Sequence, residues 1–417
     1  MQHFTGYEYL LIDAANHMGH DKITFEKRLG WANENLAELE ALTEEAKKPD
    51  LYHKAVLAIR KAERGEPTGH RVGFDACSSG MQIMSALTGC YEGAKATGLV
   101  DPNERPDAYK AVTERMNIIL HQQGISVDIE PDDAKAATMT SFYGSKEQPK
   151  KIFGVDTPEL AAFHQAVQEV APGAFELLQD LLGSWQPFAP MHRWVLPDGF
   201  VSRVKVMQKV EKRLEIDELD HATFSYEWFE NEGSESGLSN VANVVHSVDA
   251  YVLRSLIRRC SYDPTATSWA IQYVFMELAQ RDLYDLTVEQ ELQEPEAIQK
   301  YRERFEATNM VDAVIIPYLD AFTVRFLSTD HLRRLNQMME EMLDHPPFPV
   351  TSVHDEFLCH ANNMNVLRQQ YINLFAEMAE STLLDDIFQE LTGMTGTYTK
   401  LSHNLSQHIQ GCEYALS

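Results

Sequence analysis

The 417-residue sequence predicts a mixed α/β protein, predominantly helical, with a small antiparallel sheet. Three observations predict it. Apolar residues recur at helical spacing along most of the chain. A Pro197-Asp198-Gly199 turn sits between alternating segments, which is a hairpin signal. Two short stretches, Arg71 to Ala76 and Thr351 to His360, have strand character and carry acids.

Taken in order, Leu29, Ala32, Leu36, Leu39 and Leu42 predict one helix from Phe25 to Lys48. A charged stretch ending at His70 breaks before the short buried strand "RVGFDA". Ser79–Ala94 and Pro106–His121 are expected to be helical. Pro131 followed by Asp132 and Asp133 starts another helix, because proline suits the first turn and acids suit the positive end. That helix should reach Tyr143 and stop at Gly144. A long amphipathic helix is expected over Thr157–Leu182, then the hairpin, then a strand in "HATFSYEWF". Helices resume over Gly237–Arg259 and dominate the rest, apart from the short strand entering "TSVHDEFLCH".

Composition narrows the class. A hydrophobic content of 44% argues for a globular chain, long enough for roughly two or three domain-sized units. No run of about 18 apolar residues occurs, so no membrane span is expected. The start, "MQHFTGYEYLLIDAANHMGHDK", has neither a basic segment nor a signal cleavage site. Cys77, Cys90, Cys260, Cys359 and Cys412 lie far apart without a CxxC pair, which suits reduced thiols in a cytosol. The net charge of −27 speaks against nucleic-acid binding, which normally relies on basic surface.

Four segments carry candidate chemistry. In "FDACSSGMQIMSAL", Asp75 ends a strand and Ser78-Ser79-Gly80 opens a helix, so Asp75 can cap that helix or project into a cleft. In "DDAKAATMTSFYGSK", Lys135, Met139 and Tyr143 fall at i, i+4 and i+8, which places Lys135 and Tyr143 on one face about 12 Å apart. A lysine near a helix start can bind phosphate and a tyrosine farther along can stack on a base or ribose; a surface lysine with a half-buried tyrosine fits as well. In "SNVANVVHSVDAYVLR", His246, Asp249 and Leu253 share one face, the pattern of a core helix with a satisfied histidine. In "TSVHDEFLCH", His354, Asp355 and Glu356 lie between apolar residues, where desolvated charge is costly unless compensated.

The order of these segments resembles the motif series of the single-subunit DNA-dependent RNA polymerases of phages and mitochondria: Asp after a strand, Lys-x7-Tyr-Gly on a helix, His-Ser-x-Asp on a helix, His-Asp on a hairpin. "AANHMGHDKITFEKR" and "WVLPDGF" resemble family segments too, in the expected order. The resemblance covers most of the chain except roughly 260–345. It implies a palm-and-fingers polymerase fold with a small palm sheet and two magnesium ions (Mg2+), using ribonucleoside triphosphates, a DNA template and nascent RNA. By it, Asp75 and Asp355 hold the metals, with the Ala76 carbonyl as an extra ligand. Lys135 and Lys22 contact the triphosphate, Tyr143 sits by the sugar and base pair, His246 touches the nascent pair or sugar, and His354 supports Asp355. Related DNA polymerases have a glutamate at the position of Gly80 that blocks the ribose 2′-hydroxyl; Gly80 leaves room for it and favours RNA synthesis. The same resemblance divides the chain into a first palm part (1–100), fingers (101–190), a fingers-to-palm hairpin with the His246 helix (191–259), a helical insertion (260–345) and the palm hairpin with C-terminal helices (346–417).

The departures from the family pattern are equally specific. The family has an arginine four positions before the motif lysine, where this chain has Pro131. It carries an Asp-x-x-Gly-Arg segment before the first aspartate, and none is present here. Asp75 lies too near the start for promoter-recognition and thumb regions, and 260–345 separates His246 from His354 by more than the family's short connection. A split polymerase accounts for all four, with a second subunit supplying the missing parts. The larger, catalytic subunit of the heterodimeric polymerases of N-four-type phages resembles this arrangement most, which implies the cytoplasm of an infected bacterium. The alternatives are a related DNA polymerase, a non-catalytic acidic polymerase-like regulatory protein, and a His-Asp phosphohydrolase.

Overall fold

In the computed structural model, which describes residues 1–101, 103–234, 239–283 and 293–417, the first helix is fixed by a reciprocal cap. The Thr5 hydroxyl accepts from Glu8 N while the Glu8 carboxylate accepts from Thr5 N, opening α1 (Gly6–Ala15). Tyr9 to Ala15 are all buried, so α1 is a core helix rather than a surface one. A π-helical turn, Asn16–His20, follows, with Gly19 at φ 115°, and α2 (Phe25–Glu34) comes next. The single helix expected over Phe25–Lys48 is therefore broken. The Asn33 and Asn35 side-chain amides donate to the Leu29 and Trp31 carbonyls, which offers the backbone an alternative to continuing. Two short 3-10 turns carry the chain on to α3 (Pro49–Glu63).

Strand β1 (Arg71–Asp75) runs into α4 (Ser79–Thr88) and α5 (Tyr91–Ala96). The expected helix Ser79–Ala94 is split at Gly89, whose left-handed φ of 70° and close approach to the Ser402 backbone only glycine accommodates. Then follow α6 (Ala108–Gln122), α7 (Pro131–Ser141), α8 (Glu147–Phe153), α9 (Pro158–Val170) and α10 (Pro172–Gly183). The long helix expected over Thr157–Leu182 is α9 and α10, because Pro172 can start a helix but not sit inside one. The Pro-Asp-Gly turn joins β2 (Met191–Val195) to β3 (Val201–Lys205), as its sequence predicts. Next, β4 (Gln208–Ile216) and β5 (Ala222–Glu230) form a separate ribbon that is exposed or half-buried throughout. The helix expected from Gly237 has that residue outside the described residues; α11 is described over Ser239–Cys260.

Helices α12 (Pro264–Leu283), α13 (Glu296–Thr308) and α14 (Thr329–Leu343) make a small core of their own, from Ala270 to Met342. Residues 284–292, in the expected insertion, lie outside the described residues. A buried ion network ties this group to the β2–β3 turn. Asp198 accepts from Arg254 at 2.7 Å and Arg258 at 2.9 Å, and Arg258 also reaches Asp312 at 2.8 Å. The chain ends its course with β6 (Thr351–Val353), β7 (Glu356–His360), α15 (Met364–Glu380), α16 (Leu383–Thr392) and α17 (Leu405–Gln410). The main sheet has the order β1-β7-β6, all antiparallel, with Arg71 opposite His360 and Asp75 opposite Glu356. The protein is thus predominantly helical with small antiparallel sheets. Among the described residues, no helix is long and apolar enough to cross a membrane.

The main core runs from Tyr9 through α4 and α11 to Leu416, and one buried ion pair joins its ends. Arg368 donates to the Glu413 carboxylate at 2.5 Å, to the Glu413 carbonyl at 2.8 Å and to the Tyr9 hydroxyl at 2.9 Å. Beyond it, Leu416 bridges Ala76 and Ser417 N donates to the Asp75 carbonyl at 3.0 Å, so this pair anchors the segment that braces the end of β1. Glu413→Gln leaves the Arg368 charge buried without a counter-ion. We expect it to cost about 3–5 kcal/mol of unfolding free energy in urea titration; a loss below about 1 kcal/mol would show the pair to be unimportant.

Candidate active site

The sheet's pleat sorts the side chains of β1. Val72 and Phe74 face the core, while Arg71, Gly73 and Asp75 face the other way. At the same edge, the two-residue turn between β6 and β7 presents His354 and Asp355. The Asp355 carbonyl accepts from Ala76 N at 3.1 Å, which joins this turn to the end of β1. The structure thus brings Asp75 and Asp355 together from opposite ends of the sequence. Burial, then the Asp355 charge, raises the Asp75 carboxyl above its ordinary value, although Asp75 still reaches solvent. Lys48 and Arg105 partly offset this. The Ala76 carbonyl accepts from Ser78 N at 3.0 Å and keeps its second lone pair.

Glu356 packs across Gly73, where an added Cβ would lie 2.2 Å from Glu356 Oε1. Burial and Asp75 raise its carboxyl as well. Asp249, one turn after His246 on α11, is the fourth acid. Burial, then the field of Asp355, pushes its carboxyl up to about 6. Its spacing from His246 is plain in the sequence, but its coupling to Asp355 depends on the fold.

The opposite wall is aromatic. Tyr143 lies just past α7, where Gly144 at φ 86° ends the helix. Its phenol faces Ser79, and its ring packs on His246 with centroids 4.7 Å apart. Gly80 does leave room, and Tyr143 takes it: a Cβ there would lie 3.1 Å from the phenol oxygen. Tyr109, which had no motif to flag it, faces Ser78 and carries Lys135 Nζ 5.7 Å above its ring. His246 is exposed. His354 is exposed at φ 56°, a conformation uncommon for a side-chain-bearing residue. Among the described residues no hydrogen bond joins the His354 ring to Asp355. Lys22 lines a groove and pairs with Asp107 at 2.7 Å.

Residues 3–147 match the DNA-dependent RNA polymerase family model. The matched segment holds Lys22, Asp75, Gly80, Lys135 and Tyr143, and stops well before His246 and Asp355. It spans about a third of the chain. No curated protein matches the sequence.

The donor set suits a hard divalent cation. Asp75, Asp355 and Asp249 form no ion pair among the described residues, and two of them have carboxyls raised by burial and by Asp355. Carboxylate oxygens are the ligands magnesium prefers, though these three aspartates do not bring their oxygens all within 4.8 Å of one another. Among the described residues, the group that is that compact is Glu215, Asp217 and His221, exposed at the tip of the β4–β5 ribbon, where His221 already pairs with Glu215 at 2.7 Å.

The raised Asp249 carboxyl has a signed consequence. Its protonated form is favoured in the folded state, so its contribution is full below pH 3.8 and is lost as pH rises through about 6. In metal-free buffer, Asp249→Asn should match the wild type near pH 4. At pH 7.5 it should be more stable by about 1–2 kcal/mol, allowing for partial exposure. Urea unfolding at both pH values checks this; a difference independent of pH would contradict it.

Proposed function

We propose that this chain is the catalytic subunit of a phage DNA-dependent RNA polymerase, transferring ribonucleotides onto RNA under the direction of a DNA template. One observation carries the reading. Asp75, inside the matched RNA polymerase segment, and Asp355, far outside it, meet at one edge of one sheet with Tyr143 and His246 in the opposite wall. In this reading 1–100 and 346–417 form the palm, 101–190 the fingers, 191–259 the connecting hairpin and His246 helix, and 260–345 an insertion that contacts a second subunit.

The residues divide the work by their chemistry. Asp75 and Asp355 carboxylates, with the Ala76 carbonyl, would hold two magnesium ions, which supply a lowered pKa at the attacking hydroxyl and charge neutralisation at the leaving pyrophosphate. Lys135 and Lys22 would bind the phosphates. Tyr143, positioned by Gly80 and Ser79, would set the sugar against the His246 side of the cleft. His354 would fix the turn that aims Asp355. A second subunit would supply the thumb and basic template contacts, which would answer the −27 charge of this chain. The setting would be the cytoplasm of an infected bacterium.

Primer extension on a DNA template by the chain with its copurified partner tests the reading. Asp355→Asn should lower incorporation by about 10³-fold, consistent with losing several kcal/mol of charge stabilisation, with folding retained. Gly80→Ala displaces the Tyr143 phenol and should reduce the preference for ribo- over deoxynucleotides by about tenfold. Unchanged incorporation by Asp355→Asn would overturn the reading; a wild type that prefers deoxynucleotides would favour a DNA polymerase.

A further inference from the structure

Helix α12 turns an uncharged face to solvent. Ala270 and Val274 are buried in the core of the 260–345 group. From Ser268 to Gln280, the exposed residues of the helix are Trp269, Gln272, Phe275, Met276 and Gln280. Trp269 is 57% exposed, Phe275 65% and Met276 57%. Trp269 stacks on the partly buried Tyr273 one turn on, with ring centroids 6.4 Å apart. The first charged residues of α12 are Glu277 and Arg281, which are partly buried and pair with each other at 2.8 Å. A surface helix ordinarily turns its charged and polar residues outward, so this face is reversed.

Ala266, one turn before Trp269, extends the face into a groove of about 350 Å³ that Tyr262, Pro317 and Tyr318 also line. Trp269, Phe275 and Met276 together expose roughly 300–400 Å² of apolar surface. Single exposed apolar residues are ordinary, but a patch of this size on one helix marks an interaction surface. Aromatic residues and methionine without charge are the composition of an interface core. The charge around the patch selects the partner. Residues 260–345 contain 16 acids and 7 bases. Among the described residues of this group, eight acids and three bases are exposed. A second copy would bring the same negative surface against it. Single-stranded nucleic acid also stacks on aromatic rings, but it needs cations beside them. Arg281, the one basic residue of α12, is already paired.

We propose that the α12 face around Trp269, Phe275 and Met276 is the docking site of a second protein, one that presents apolar side chains ringed by lysine and arginine. The proposal rests on the split-polymerase reading and names the part of the insertion that meets the second subunit. The apolar centre supplies the affinity, and the acids around it select a basic rim and reject another copy of this chain.

Biolayer interferometry between the full chain and the protein that copurifies with it from its native source tests the proposal. Trp269→Ala should weaken binding by about 30-fold, the size of an interface hot spot, with the unfolding midpoint of the chain unchanged. Gln272→Lys should weaken it by about tenfold, while Gln272→Glu stays within about twofold of the wild type. Leu57→Ala, at an exposed apolar residue of α3, should also stay within about twofold. The proposal is overturned by Trp269→Ala binding within twofold of the wild type, by Gln272→Glu losing as much as Gln272→Lys, or by no protein copurifying. Self-association of the chain that Trp269→Ala abolishes would make the occupant a second copy and overturn it too. Primer extension by the wild-type pair separates this result from the polymerase reading. If the pair incorporates nucleotides and Trp269→Ala binds normally, the reading stands and the docking face falls. If Trp269→Ala loses binding and the wild-type pair incorporates nothing, the docking face stands and the reading falls.

Discussion

The repulsion between Asp75 and Asp355 is the constraint around which the cleft is organised. Two carboxylates converge because the Ala76 N–H to Asp355 carbonyl bond joins the end of β1 to the β6–β7 turn. The cost is visible in the raised carboxyls of Asp75, Asp249 and Glu356. Among the described residues no fixed ion pair relieves it; Lys48 and Arg105 act through their field on Asp75. The rest of the fold keeps these groups in place. The Ser417 N–H, the Leu416 bridge and the buried Arg368–Glu413 pair brace the end of β1 from behind. A rigid frame is what lets an unfavourable charge pair persist, because relaxation would otherwise separate it.

Helix α11 links this centre to the remainder of the chain. Its early turns hold His246 and Asp249 at the cleft, and its later turns hold Arg254, Arg258 and Arg259 in ion pairs with Asp198, Asp312 and Glu377. The Asp312 contact belongs to the helical group 260–345, so that group is fastened to the helix that carries site residues. Pairs with one buried partner are costly to break one-sidedly. The β4–β5 ribbon is the contrary case: Phe224, Tyr226 and Trp228 line one face of two strands that pair only with each other.

How much of this the sequence discloses depends on the range of the interaction. Strand β1, the Pro-Asp-Gly hairpin and the start of α7 at Pro131 follow from local rules, and the sequence predicts them. The break at Asn35 and the split at Pro172 are local too, but periodic leucines and apolar spacing across them mask the signal. The Asp75–Asp355 meeting is not local, and only the order of motifs pointed to it. Tyr109, Arg105 and Ser417 carry no motif. Their relevance comes from the α6 junction and from the last residues folding back onto β1, contacts whose partners lie hundreds of positions away. Gly80 illustrates the intermediate case: its lack of a side chain is legible, but the phenol that fills the space is not.

If mutual repulsion organises the cleft, a divalent cation should bind there and depend on both aspartates. Electron paramagnetic resonance titration of Mn2+ into the full chain measures this directly. The wild type should bind Mn2+, Asp75→Asn and Asp355→Asn should each weaken it by about tenfold or more, and Glu215→Gln at the ribbon tip should not change it. Equal Mn2+ affinity in the wild type and both aspartate variants would contradict the account.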